Sequence, residues 1–175
     1  MKKKVFLTVA ALILVLCCAV GGTLAWLVAR STTVTNTFTV GDINIDLTES
    51  TTDYKMVPGN TISKDPTVTV KANSEACWLF VKIEESENFR SFLTYDVAGG
   101  WTKLQDGVYY REVAAAAADL DFAVLKSNEV KVLENVTKEQ LNGLTERTFP
   151  TLTFTAYAVQ KDNVATAADA WAKIG

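Results

Sequence analysis

The chain holds few residues that could do chemistry, and their types set narrow limits. Histidine is absent from all 175 residues. No Ser-His-Asp or Cys-His nucleophile can therefore be assembled. No zinc site built on paired histidines exists either. Three cysteines are present, Cys17, Cys18 and Cys77. Cys77 sits in the apolar run Ala76-Cys77-Trp78-Leu79-Phe80-Val81, where a buried, inert thiol is expected. Glu84, Glu85 and Glu87 cluster after that run and could pair as glycosidase acids, but no aromatic sugar platform or partner acid accompanies them. A solvated strand end is the simpler reading. Asp42, Asn44 and Asp46 match the opening of a calcium loop. That loop needs glycine at its sixth position and glutamate at its twelfth, and this chain has Leu47 and Asp53 there. Asn135-Val136-Thr137 has the form of a glycosylation sequon, although Thr137 also suits a helix cap. Nothing here specifies a cofactor or a metal site, and the residues read as those of a protein that is not an enzyme.

The positioning elements begin with an export signal. Lys2, Lys3 and Lys4 precede an apolar run from Val5 to Val20, and Gly21-Gly22-Thr23-Leu24-Ala25 follows. A basic start, an apolar core and a small final residue are the export pattern. Cleavage is expected between Ala25 and Trp26. An uncleaved anchor is the competing reading, because residues 5–28 exceed the roughly 20 apolar residues a spanning helix needs. Gly21-Gly22 interrupts that stretch and favours cleavage. The location implied is secreted, extracellular or cell-surface, with membrane contact only through an uncleaved signal.

Removal of residues 1–25 leaves one domain's worth of chain. Three of the 17 Lys+Arg and none of the 20 Asp+Glu lie in that signal, so the remainder carries a formal charge of −6. Such a balance has no footprint for nucleic acid. With one cysteine left, no internal disulfide can close.

Strand signals dominate the rest. Thr33–Val40 is uncharged and rich in Thr and Val, with Val34, Phe38 and Val40 on one parity. Gly41-Asp42 shifts the parity, and Ile43, Ile45 and Leu47 then alternate with polar residues. Pro58-Gly59-Asn60 and Asn73-Ser74 read as turns around the alternating run 67–72. Residues 76–83 are apolar almost throughout, as a strand covered on both faces would be, and Trp78 or its parity-mates should form the core. Asp106-Gly107 between Trp101–Leu104 and Val108–Val113 predicts a hairpin. Two short strands are expected about Lys126-Ser127-Asn128, and a long one over 152–159. Thr137-Lys-Glu-Gln140 is a capping-box pattern, and Thr166-Ala-Ala-Asp169 repeats the idea. Phe89–Val97 is ambiguous, and Ala114–Ala118 fits no element. The expectation is a mostly β, antiparallel β-sandwich with one or two short helices. Residues 1–25 would be the signal, 26–40 an N-terminal strand segment and 41–175 the sandwich. Segment 26–40 could be the sandwich's own first strand, or a strand exchanged between subunits through Val34, Phe38 and Val40.

Gly21-Gly22-Thr23-Leu24-Ala25-Trp26 and Asn36–Leu47 resemble the start of the TasA/camelysin family of exported Gram-positive surface and biofilm-matrix proteins. Val57-Pro-Gly…Lys64-Asp-Pro66, Ala156–Gln160 and Ala170-Trp171 add to the likeness, in order. The resemblance implies a jelly-roll-like sandwich and processing by a SipW-type signal peptidase. It implies a homo-oligomer or fibre, in which each N-terminal strand completes the next subunit. It also carries a rival, because camelysin-like members have been classed as metallopeptidases, and a monomeric adhesin or binding module is a third possibility. The lack of histidine departs from the peptidase reading.

Overall fold

The computed structural model describes residues 42–50 and 55–174. The chain divides into two units between Val40 and Gly41, and every described residue belongs to the second. That unit is mostly β, with ten strands in three antiparallel sheets and three short helices among the described residues. The strands are β1 (Ile45–Thr48), β2 (Thr61–Ser63), β3 (Thr67–Val70), β4 (Cys77–Glu85), β5 (Leu93–Thr94), β6 (Thr102–Gln105), β7 (Val108–Val113), β8 (Leu120–Ala123), β9 (Glu129–Val132) and β10 (Leu152–Gln160). The helices are α1 (Phe89–Phe92), α2 (Lys138–Asn142) and α3 (Ala167–Trp171).

The apolar run 76–83 becomes β4, the middle of a four-stranded sheet ordered β10-β4-β7-β6. Its two parities have different neighbours. Cys77, Leu79, Val81 and Ile83 pack with Val68 and Val70 of the opposite sheet, β1-β3-β8, and with Val124 just past β8. Trp78 and Phe80 face outward, where α3 lays Ala167, Ala170 and Trp171 over them. The Phe80 and Trp171 rings lie 5.2 Å apart, and Trp78 Nε1 donates to Val164 O at 3.1 Å. Covering both faces is what lets a strand be apolar on both parities.

The third sheet, β2-β9-β5, continues the second rather than standing apart. Residues 61–63 pair with 129–131, and 67–70 pair with 120–123, with the register slipping by two residues between them. Lys64 N donates to Asn128 O at 2.7 Å, and Val124 N to Pro66 O at 2.9 Å, so pairing runs through the break. Ser127 and Asn128 hold φ of 57° and 55° there. Two consecutive left-handed residues cannot stay in an extended ladder, so the strand bends and its sheet splits in two. The two strands expected about Lys126-Ser127-Asn128 thus exist but do not pair with each other.

Local signals mostly hold. Thr137 and Gln140 form the reciprocal capping box, and Thr166 accepts from Asp169 N at 3.1 Å. The hairpin β6–β7 turns at Asp106-Gly107, where Gly107 has φ 72°. A Cβ on Gly107 would sit 2.7 Å from Ile83 O, so backbone packing also demands glycine. One expectation needs correction, since three short helices form among the described residues and not one or two. The ambiguous stretch begins as α1, a single turn that buries Phe89 and Phe92 beneath the third sheet with Leu125, Val130 and Val132. Four residues give too little periodicity for a helix to be read. Ala114–Ala118 joins β7 to β8 without regular structure, held at Ala116 O by Asn73 N at 2.8 Å.

Candidate functional site

The two flanks of the sandwich are built differently. On one, Arg111 of β7 stands beside Leu79 in register and reaches between the sheets. Its guanidinium lies 3.8 Å from the Phe122 ring centre and 5.3 Å from that of Trp101. Trp101 Nε1 donates to Ala123 O at 2.9 Å, tying the four-stranded sheet's side of the clasp to β8. Burial lowers the Arg111 pKa from its ordinary value, and its Nε is buried without a hydrogen-bond partner. The flat faces of two rings stand in for that partner as a cation–π stack. Val113 and Val124 behind the clasp are buried.

The other flank is bounded by β1 and β10, the outermost strands of the facing sheets. Among the described residues neither outer edge has a strand partner. The inward row Leu152, Phe154, Ala156 and Ala158 is only half-buried, as are Ile43 and Ile45. Leu47 is exposed at 36%. A gap of about 280 Å³ opens between the strands, lined by Leu47, Pro66, Leu152 and Phe154. It shares Glu49 and Leu152 with a larger cavity of about 800 Å³ over the second core. Phe89, Leu93 and Val130 make that cavity's buried floor, and Val57 and Phe149, each 48% exposed, line its lip. Lys64 and Glu49 form an ion pair in its wall, with side chains only 10% and 18% exposed, and Lys64 Nζ lies 5.4 Å from the Phe154 ring centre.

The edge of β10 is unusual for an edge. It is nine residues long, Leu-Thr-Phe-Thr-Ala-Tyr-Ala-Val-Gln, without charge or proline. Natural edge strands are normally shortened, charged or covered, because bare N–H and C=O groups template further pairing.

The residues singled out from sequence fall into two groups. Ala25 and Trp26 at the cleavage point, and Val34, Phe38 and Val40 of the exchange segment, lie outside the described residues. Asp53 lies outside them too, while Asp42, Asn44, Asp46, Glu84 and Glu85 have local work. Asp42 Oδ2 accepts from Asn44 Nδ2 at 2.9 Å, and Asp46 pairs with Lys71 at 2.9 Å, so these oxygens serve turn and sheet. Among the described residues no three His, Cys, Asp or Glu side chains group to hold a metal. Glu84 pairs with Lys82 at 2.7 Å. Glu85 accepts both Arg90 Nε and Nη2, and Tyr95 Oη at 2.7 Å. Burial would raise the Glu85 pKa, but the Arg90 and Tyr95 hydrogen bonds outweigh it and hold the carboxyl below its usual value. A low-pKa carboxylate bound by a guanidinium is a poor proton donor at neutral pH. Burial pushes the Cys77 thiol up to about 11, which leaves it protonated and unreactive.

Sequence reasoning did not find the open flank. Its walls come from residues 47–49, Pro66 and residues 152–154, about a hundred positions apart. The one legible sign was the uncharged β-prone run 152–159, without a gatekeeper charge. In comparisons with protein families, curated proteins and solved structures, the chain matches none.

Proposed function

We propose that this protein is an exported structural protein of the cell surface or biofilm matrix, not an enzyme, that assembles into fibres by strand addition. The observation that carries the reading is the uncharged outer edge of β10, which has no strand partner among the described residues, beside a half-buried apolar row. In the assembly, residues 33–40 of one copy pair with an outer edge of this flank on the next. Backbone hydrogen bonds give the affinity, and alternate side chains Val34, Phe38 and Val40 enter the gap. The export-type N-terminus and the ordered likeness to the TasA/camelysin family support the same reading. A SipW-type peptidase would free Trp26 as the new N-terminus, and the product would remain outside the cell.

Electron microscopy and sedimentation of the secreted protein test this. The protein should polymerise, one beginning at Gly41 should stay folded but monomeric, and Thr37→Pro should match it because proline removes a ladder donor. Fibres from the shortened protein would overturn strand addition. Unfolding of the shortened protein would place 26–40 in its own sandwich.

A further inference from the structure

We infer that the larger cavity is a binding site for a single-chain anionic amphiphile, an apolar chain ending in a carboxylate or similar group. The inference stands independently of fibre assembly. At about 800 Å³ the cavity lies within the range of small-molecule sites, and its lining follows their pattern, mostly apolar with few polar groups. Its depth is apolar, because Phe89 and Val130 on the floor are almost wholly buried. A chain without branching hydrogen-bond groups suits that floor.

The polar groups on the wall carry the charge argument. Among the described residues, two lysines, Lys55 and Lys64, and one glutamate, Glu49, are the charged groups that line the cavity. Glu49 is committed to Lys64. Lys55 is exposed and has no carboxylate partner among the described residues. Among the described residues the cavity wall therefore carries one positive charge in excess. Burying an ion pair in an apolar wall is costly, and a well-packed apolar pair would cover the second core more cheaply. A pair held there instead fixes a polar end within an otherwise greasy cavity. The result is an apolar well whose described wall residues carry one excess positive charge, complementary to an anionic head on a hydrocarbon chain. A free fatty acid and an anionic membrane lipid share that chemistry, and the site commits to the free, single chain because a cavity of about 800 Å³ with a buried apolar floor takes one chain, whereas a membrane surface would need a broad exposed apolar face.

Calorimetry on the secreted protein carrying Thr37→Pro, which removes assembly heats, tests the inference with dodecanoate below its micelle concentration. One saturable site per chain is expected, at least tenfold tighter for dodecanoate than for dodecyltrimethylammonium. Val57→Asp, an exposed change at the lip, should weaken dodecanoate at least tenfold. Lys55→Glu, also exposed, should reduce the anion preference to twofold or less. Circular dichroism of both variants should match the parent, since neither side chain is buried. Sedimentation with phosphatidylglycerol vesicles supplies the other arm. Absence of saturable dodecanoate binding, equal affinity for the cationic chain, indifference to Val57→Asp, or binding to vesicles alone would each overturn the proposal.

Discussion

The flank closed by Arg111 and the flank bounded by β1 and β10 belong to the same two sheets and border the same core. On the first, a wide cation lies between two rings, and an indole N–H bonds the opposite sheet's backbone. The valines behind it are dry. On the second, small side chains, Ala156 and Ala158, meet a short strand whose last apolar residue is exposed. The core is thus complete through β3, β4 and β7 and half-finished at β10. A sandwich whose two flanks differ so much separates two demands that usually coincide. Sealing stabilises the fold, whereas an edge without a strand partner among the described residues leaves backbone groups of the kind that template pairing.

The centre sets the scale for both flanks. Phe80 is fully buried between the four-stranded sheet and α3, against Trp171 and Tyr110. Phe80→Ala should cost about 3–5 kcal/mol, from lost transfer energy and the cavity left behind. Urea unfolding should show the midpoint fall with an unchanged slope. An unmoved midpoint would mean that the outer face of β4 contributes little and that α3 is loosely docked.

The parts of this frame that could be read in the sequence are those that local chemistry determines. Asp106-Gly107, the caps at Thr137 and Thr166, and the doubly apolar run around Phe80 each state their structure within a few residues. The bend at Ser127-Asn128 was visible only as a turn. Its consequence depends on residues 61–70, which pair with it from far away. Helix α1 was hidden because one turn has no repeat. The clasp combines Trp101, Arg111 and Phe122, and no spacing among them announces that they meet. The candidate site is further still from local reading, since its walls join the start and end of the sandwich. Val34, Phe38 and Val40, the side chains proposed to enter the gap, lie outside the described residues.

A smaller effect is expected at the closed flank. Trp101→Ala removes a half-buried indole, its hydrogen bond to Ala123 O and one face of the Arg111 stack. The loss should be about 2 kcal/mol, less than for a fully buried ring because the indole keeps partial contact with water. Hydrogen exchange should quicken at β8 and the loop 97–101 before it changes in β4, since the clasp ties those segments together. Equal quickening throughout would show that the clasp is part of the global core and that the two flanks are not separable.

The smallest effect on stability, and the most informative, belongs to Leu47→Lys. Leu47 lies at the open flank and is exposed at 36% in the gap between β1 and β10. A lysine can keep its stem along that apolar surface and place its ammonium in water. The unfolding free energy should therefore move by no more than about 0.5 kcal/mol, as exposed substitutions do. Assembly should respond very differently. A strand seated at this flank would have to bury the new charge, and lysine on an edge is the usual natural device against pairing. Fibre yield should drop sharply while the unfolding midpoint stays in place. If the midpoint falls by as much as for Trp101→Ala, Leu47 is covered in solution and the contrast between the flanks disappears. If both stability and fibres are unaffected, the contrast stands but the joint lies elsewhere than the gap between β1 and β10.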